Sequence, residues 1–115
     1  MTKTIFQKII DREVPSKILF EDDKCIVIED IAPKAPTHLL VIPKKPIKKL
    51  SEVKPDDKNL LGHLMVVISE ITKQLNIEDA FNIIINNGEE AGQTVFHLHI
   101  PVSYTHLRAH ETQSD

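Results

Sequence analysis

Over residues 56–75 the apolar side chains Leu60, Leu61, Leu64, Met65, Val67, Ile68, Ile71 and Leu75 recur with a 3.6-residue period, which predicts one long helix with a single apolar face. Asp56 or Asp57 stands near its start and Asn76 near its end, where a capping carboxylate and a residue tolerant of left-handed backbone fit. Such a helix must bury its stripe against another layer, and most of the remaining chain reads with period two. Ile18 and Phe20, then Cys25, Ile26, Val27 and Ile28, flank the acidic turn Glu21-Asp22-Asp23 and predict a hairpin. Pro33 and Pro36 make residues 31–36 a connection into a strand over 37–42, apolar on both faces and therefore central. Residues 80–86 and 94–100 read as two further strands. Residues 4–12, with Thr4 as N-cap and Pro15 beyond the end, read as a short helix. The expected fold is α+β: a mostly antiparallel five-stranded meander sheet, one short N-terminal helix and one long central helix.

Composition narrows the function. A chain of 115 residues suits one domain rather than separate cofactor and substrate lobes. Its formal net charge of −3 gives no general attraction to nucleic acid or anionic membrane, so neither partner is expected and any anion site must be local. A single cysteine, Cys25, excludes an intrachain disulfide and suggests a reducing compartment. The first residues carry charges throughout, without the apolar stretch of a signal peptide, and a cytoplasmic location is expected. Glycine-rich nucleotide loops of the G-x-G-x-x-G or P-loop kind are absent. Residues 43–49 hold four lysines, Lys44, Lys45, Lys48 and Lys49, in a basic loop that reads as a solvated turn or as a phosphate-steering element. His63, on the long helix, reads as a surface or dimer-contact residue.

The chemically informative stretch is Gly92-Gln93-Thr94-Val95-Phe96-His97-Leu98-His99-Ile100. On a strand, His97 and His99 share one face while Phe96, Leu98 and Ile100 point into the core. The Gly-Gln-Thr loop before them offers backbone N–H groups and a hydroxyl to an anion beside the imidazoles. Neutral imidazole next to such a cradle suits attack on phosphorus with a covalent phospho-histidine intermediate. The same residues also allow a zinc site, with His38 as a third ligand, although no cysteine pair or His-Glu-x-x-His supports it.

Several blocks carry a family resemblance. They are Ile5-Phe6-Gln7-Lys8-Ile9-Ile10 with Val14-Pro15, then Phe20-Glu21-Asp22-Asp23, the run from Asp30 to Lys44 containing Thr37-His38-Leu39-Leu40-Val41-Ile42-Pro43, and Asn86-Asn87-Gly88 with the histidine stretch. Over about residues 4–100 the chain resembles the histidine triad (HIT) family, in its nucleotide-binding branch of purine nucleoside phosphoramidases. The resemblance implies a homodimer without cofactor or metal, each subunit binding a purine nucleoside monophosphate or its phosphoramidate. It implies that His99 takes the nucleotidyl group from the α-phosphorus and that His97 orients the site and hydrogen-bonds with His38. It further implies Asp30 on the ribose hydroxyls and Phe6, Ile9, Val14, Ile28 and Ile31 around the base. Asn86, Gly92, Gln93 and Thr94 are implied at the phosphate and leaving group.

The chain departs from the family at position 101, where the third alternating histidine is replaced by Pro101. Proline supplies neither a proton nor a normal strand rung. Residues 1–100 are therefore expected to form the nucleotide-binding domain, C-terminally incomplete, and residues 101–115 an atypical, non-native tail in which His106 and His110 belong to an unstructured segment. Two functions follow: a phosphoramidase-type hydrolase, or a nucleotide- or partner-binding module with little catalysis.

Overall fold

The computed structural model describes residues 2–30 and 37–104. Helix α1 (Ile5–Ile10) begins where Thr4 Oγ1 accepts the Gln7 N–H at 3.1 Å, and it ends at Arg12, whose positive φ of 65° turns the chain away. Strands β1 (Ile18–Glu21) and β2 (Cys25–Glu29) form the expected hairpin, and β3 (Thr37–Pro43) pairs with β2 from Cys25↔Pro43 to Glu29↔Leu39. A 3₁₀ turn, Pro55–Asp57, leads into α2 (Lys58–Gln74), and the chain returns through β4 (Asn82–Ile83) and β5 (Ile100–Tyr104). All neighbours are antiparallel in the order β1-β2-β3-β5-β4, so the expected α+β sheet with one short and one long helix is the observed fold.

Alternation along the strands sorts two cores. Cys25, Val27, Leu39, Val41, Ile100 and Val102 face α2, where Leu64, Val67, Ile68 and Ile71 meet them. Ile26, Ile28, Leu40 and Ile42 face the other way, against Phe6 and Ile9 of α1. Removing each such Ile or Leu from water contributes ~1.5–3 kcal/mol, which is why both helices are held to the sheet. The first core is closed by a whole helix, whereas α1 covers the second only in part. The uncovered portion is the site described below.

Two expected strands are shorter or displaced. The segment 94–99 is irregular, and regular pairing starts only at Ile100. It is held instead by the end of β3 and the loop after it: the Leu98 N–H donates to Ile47 O at 2.7 Å, and the buried ring of His97 bonds Pro43 O. Phe96, expected in the core, is 38% exposed, while Leu98 and Ile100 are buried. The strand expected over 80–86 is two residues long, and Pro101 limits its pairing beyond Ile83. Ile84 N–H reaches Pro101 O at 3.4 Å, and the return bond of that pair needs an N–H that proline lacks. A strand residue's N and O point to the same neighbour, so on the β3 side Pro101 leaves no bond unmade opposite Leu40. Strand β5 runs through Tyr104, past the strand end expected at Ile100, and residues 105–115, with His106 and His110, lie outside the described residues. No helix among the described residues is long and apolar enough to cross a membrane.

Candidate active site

The uncovered part of the second core is a cleft of about 340 Å³ between α1, the ends of β2 and β3, and the segment before β5. Phe6, Ile9, Val14 and Ile28 line its apolar wall, and Asp30, His38, Thr94 and His99 supply its polar groups. Period two on β3 places His38 beside Leu40 on this face, and Pro101 joins them from β5.

His99 is fixed in one tautomer. Its Nδ1 donates to the carbonyl of His97 at 2.8 Å, which leaves the Nε2 lone pair as the free basic nitrogen. The ring stands edge-on to Phe6, centroids 4.8 Å apart at 64°. Burial lowers the His99 pKa by more than the His97 carbonyl and the Asp30 charge raise it, so the ring is neutral at physiological pH. His38 Nδ1 lies 3.1 Å from Asp30 Oδ2, in ion-pair range but without hydrogen-bond alignment.

Four residues expected at the site act on it from behind or stand outside the cleft. His97 is 2% exposed and its Nε2 pairs with Pro43 O at 2.7 Å, in place of the expected bond to His38. It steers His99 through its backbone carbonyl, because the two rings are neighbours on an irregular segment rather than on a strand. Gln93 is buried, and its amide is fully engaged: Oε1 accepts the Gly88 N–H at 2.8 Å, and Nε2 donates to Lys48 O at 2.8 Å and Val95 O at 3.0 Å. It braces the loop, and no part of its amide is left for a phosphate. Gly92 has φ of 101°, a conformation L side chains rarely adopt, and a Cβ there would stand 3.2 Å from Asn86 Nδ2. Asn86 therefore packs on the turn that delivers Thr94, and neither it nor Gly92 lines the cleft. Ile31 lies outside the described residues. In the basic loop Lys44 pairs with Glu21 at 2.7 Å and Lys45 with the buried Asp57, and neither faces the cleft.

Sequence reasoning missed Ser16, Glu29 and Val95, which also line the cleft. Ser16 Oγ is buried without a hydrogen-bond partner among the described residues. The signal that was available is adjacency: Ser16 follows Val14-Pro15, and Val95 lies between Thr94 and the histidines.

The pKa of His97 is lowered as well, first by burial and then by His99, against the raising effect of Pro43 O. Both depressed values have the same consequence for stability. As pH falls below the ordinary histidine value of 6.5, the unfolded chain takes up protons that the folded rings resist. Their contribution is complete above that value and is lost as pH falls toward the lowered folded ones. A thermal melt at about pH 5.5 is expected to give a lower Tm than one at about pH 7.5, with a smaller drop in His97→Gln. An equal drop in both proteins contradicts the assignment.

The chain belongs to the HIT domain family, whose model matches residues 11–103. An uncharacterised HIT-like protein of Synechocystis is 52% identical over 99 residues, covering 86% of this chain and 87% of its own. Among solved structures, a HIT family hydrolase from Clostridium thermocellum superposes with a TM-score of 0.86 at 38% identity, over 91% of this chain and 92% of that one. A histidine triad nucleotide-binding protein from Candida albicans gives 0.79 at 30% identity, over 97% and 95%.

Proposed function

We propose that the protein is a purine nucleotide-binding hydrolase that cleaves nucleoside 5′-phosphoramidates or related nucleotidyl conjugates through a nucleotidyl-His99 intermediate. The observation that carries this reading is His99 itself: a neutral imidazole, Nδ1 tied to the His97 carbonyl, in a cleft that also holds a carboxylate and an apolar wall. The Clostridium neighbour is described as a hydrolase and the Candida neighbour as nucleotide-binding, which supports both halves of the proposal.

In the proposed reaction the base lies against Phe6, Ile9, Val14 and Ile28, and Asp30 accepts the two ribose hydroxyls. The Nε2 lone pair of His99 attacks the α-phosphorus, the phosphorus–nitrogen bond breaks, and its electron pair leaves with the amine, which takes a proton from solvent. Water then attacks the phosphorus, the bond to Nε2 breaks, and nucleoside monophosphate leaves with the neutral ring restored. Thr94, exposed at the mouth, is placed for the phosphoryl oxygens. The step as written asks for no metal or cofactor.

The active assembly is proposed to be a homodimer. Ile83 and Ile84, at and beside the edge strand β4, and Met65 and Val66 of α2 are 38–58% exposed, leaving apolar surface for a second copy.

One observation favours the second reading, a binding module with little catalysis: Pro101 occupies the cleft wall where a proton donor would serve the leaving group. The hydrolase reading and the nucleotide-binding form of the second reading both require nucleotide binding. Calorimetric titration with adenosine monophosphate is expected to saturate at one per chain, and Asp30→Ala to weaken it by about tenfold or more, the usual worth of hydrogen bonds to a charged group. Equal affinity in the two proteins would remove Asp30 from the proposed site.

A further inference from the structure

We propose a metal site outside the nucleotide cleft, in which Asp22, Cys25 and His63 take zinc or a comparable borderline divalent ion and clip the β1–β2 turn to α2. One carboxylate oxygen, one sulfur and one imidazole nitrogen converge there, with their donor atoms all within 4.8 Å of one another. They come from separate places in the fold: Asp22 lies in the hairpin turn, Cys25 opens β2, and His63 sits on α2.

The carboxylate is positioned before any ion arrives. Asp22 Oδ1 accepts the N–H groups of Lys24 at 2.8 Å and Cys25 at 2.9 Å, which aims Oδ2 at His63 Nε2, 2.7 Å away. The Cys25 side chain is fully buried behind it. An Asp–His pair is enough to fasten a turn to a helix, and the thiol adds nothing that such a clamp needs. A metal uses all three. Sulfur, imidazole nitrogen and carboxylate oxygen form a donor set suited to zinc, and their usual bond lengths put neighbouring ligand atoms of a tetrahedral ion ~3.3–3.7 Å apart. All three donor atoms lie within 4.8 Å of one another, and the 2.7 Å Asp–His contact opens by ~0.6 Å or more to admit the ion.

Burial and the Asp22 charge push the Cys25 thiol up to about 12 before an ion binds, so the ion itself must displace the thiol proton. Carboxylate and thiolate together balance a divalent cation, and coordination removes the thiol proton. Lys44, whose charge reaches Cys25, is neutralised by Glu21 at 2.7 Å. The Asp22 and His63 side chains remain 26% and 31% exposed, which leaves the fourth coordination position to water. His63, read from sequence as a surface or dimer-contact residue, thus has a partner 41 positions away that no local pattern reveals.

The test is titration of the metal-stripped full chain with cobalt(II), followed by zinc. A cobalt–thiolate charge-transfer band saturating at one ion per chain and displaced by zinc is expected. Because Cys25 is the single cysteine, the band reports this site even if the cleft histidines also bind metal. His63→Gln, a partly exposed helix position that spares the core, is expected to weaken cobalt binding by more than about tenfold, and His99→Ala to leave the band intact. Absence of the band, or its survival unchanged in both His63→Gln and Asp22→Asn, overturns the site. The outcome is independent of nucleotide turnover, since no residue of the cleft takes part.

Discussion

Replacing Pro101 by histidine is expected to raise turnover of a nucleoside phosphoramidate by ~10²–10⁴-fold, the range spanned by one general acid–base group. Position 101 lines the cleft together with His99 and His38. Alternation on β5 turns it toward the site while Ile100 and Val102 face α2. An imidazole there would be placed to protonate the departing amine, the step that otherwise waits on solvent. The substitution also restores the missing N–H opposite Ile84, so amide exchange near residues 84–86 is expected to slow as β4 lengthens. If exchange slows but turnover stays flat, the strand is repaired without catalytic gain, and the binding-module reading prevails.

His99→Ala is expected to remove covalent turnover altogether, a loss of at least ~10⁴-fold and on the scale of removing the nucleophile from a covalent hydrolase. Nucleotide affinity should change by less than about tenfold, because the Asp30 end and the apolar wall remain intact. The split between rate and binding matters more than the loss of rate. A residue with a merely structural role would move both, and the edge contact with Phe6 makes that alternative worth measuring.

The fold was legible because its strongest signals are periodic. The stripe over 56–75 became α2, and period two through Cys25–Glu29 and Thr37–Pro43 became the paired strands β2 and β3. What sequence pattern lacked was knowledge of partners. The run Ile83-Ile84-Ile85 looks like a strand, yet a strand needs donors opposite it, and Pro101 withholds one. The stretch 94–99 alternates like a strand but is pinned to the end of β3 through His97 and to the loop after it through Leu98.

The site was partly legible for the same reasons. Phe6, Ile9, Val14, Ile28, Asp30, His38, Thr94 and His99 do gather in one cleft. The resemblance placed Gln93 and His97 among the contacts, but it could not show that both engage their side chains inside the scaffold. Lys48, one of the three partners of Gln93, and Pro43, the partner of His97, are about fifty residues distant in sequence. Burial of His97 is equally invisible from a motif in which the two histidines look equivalent.

The central claim, that His99 Nε2 carries the nucleotidyl group, is tested most directly by acid- and base-quenched intact-mass measurement during turnover of adenosine 5′-phosphoramidate. The account predicts an adduct of one adenylyl group, stable to base and labile to acid as a phosphorus–nitrogen bond is, mapping to His99 and missing in His99→Ala. Turnover without any adduct at His99, or an adduct that persists in His99→Ala, would contradict it.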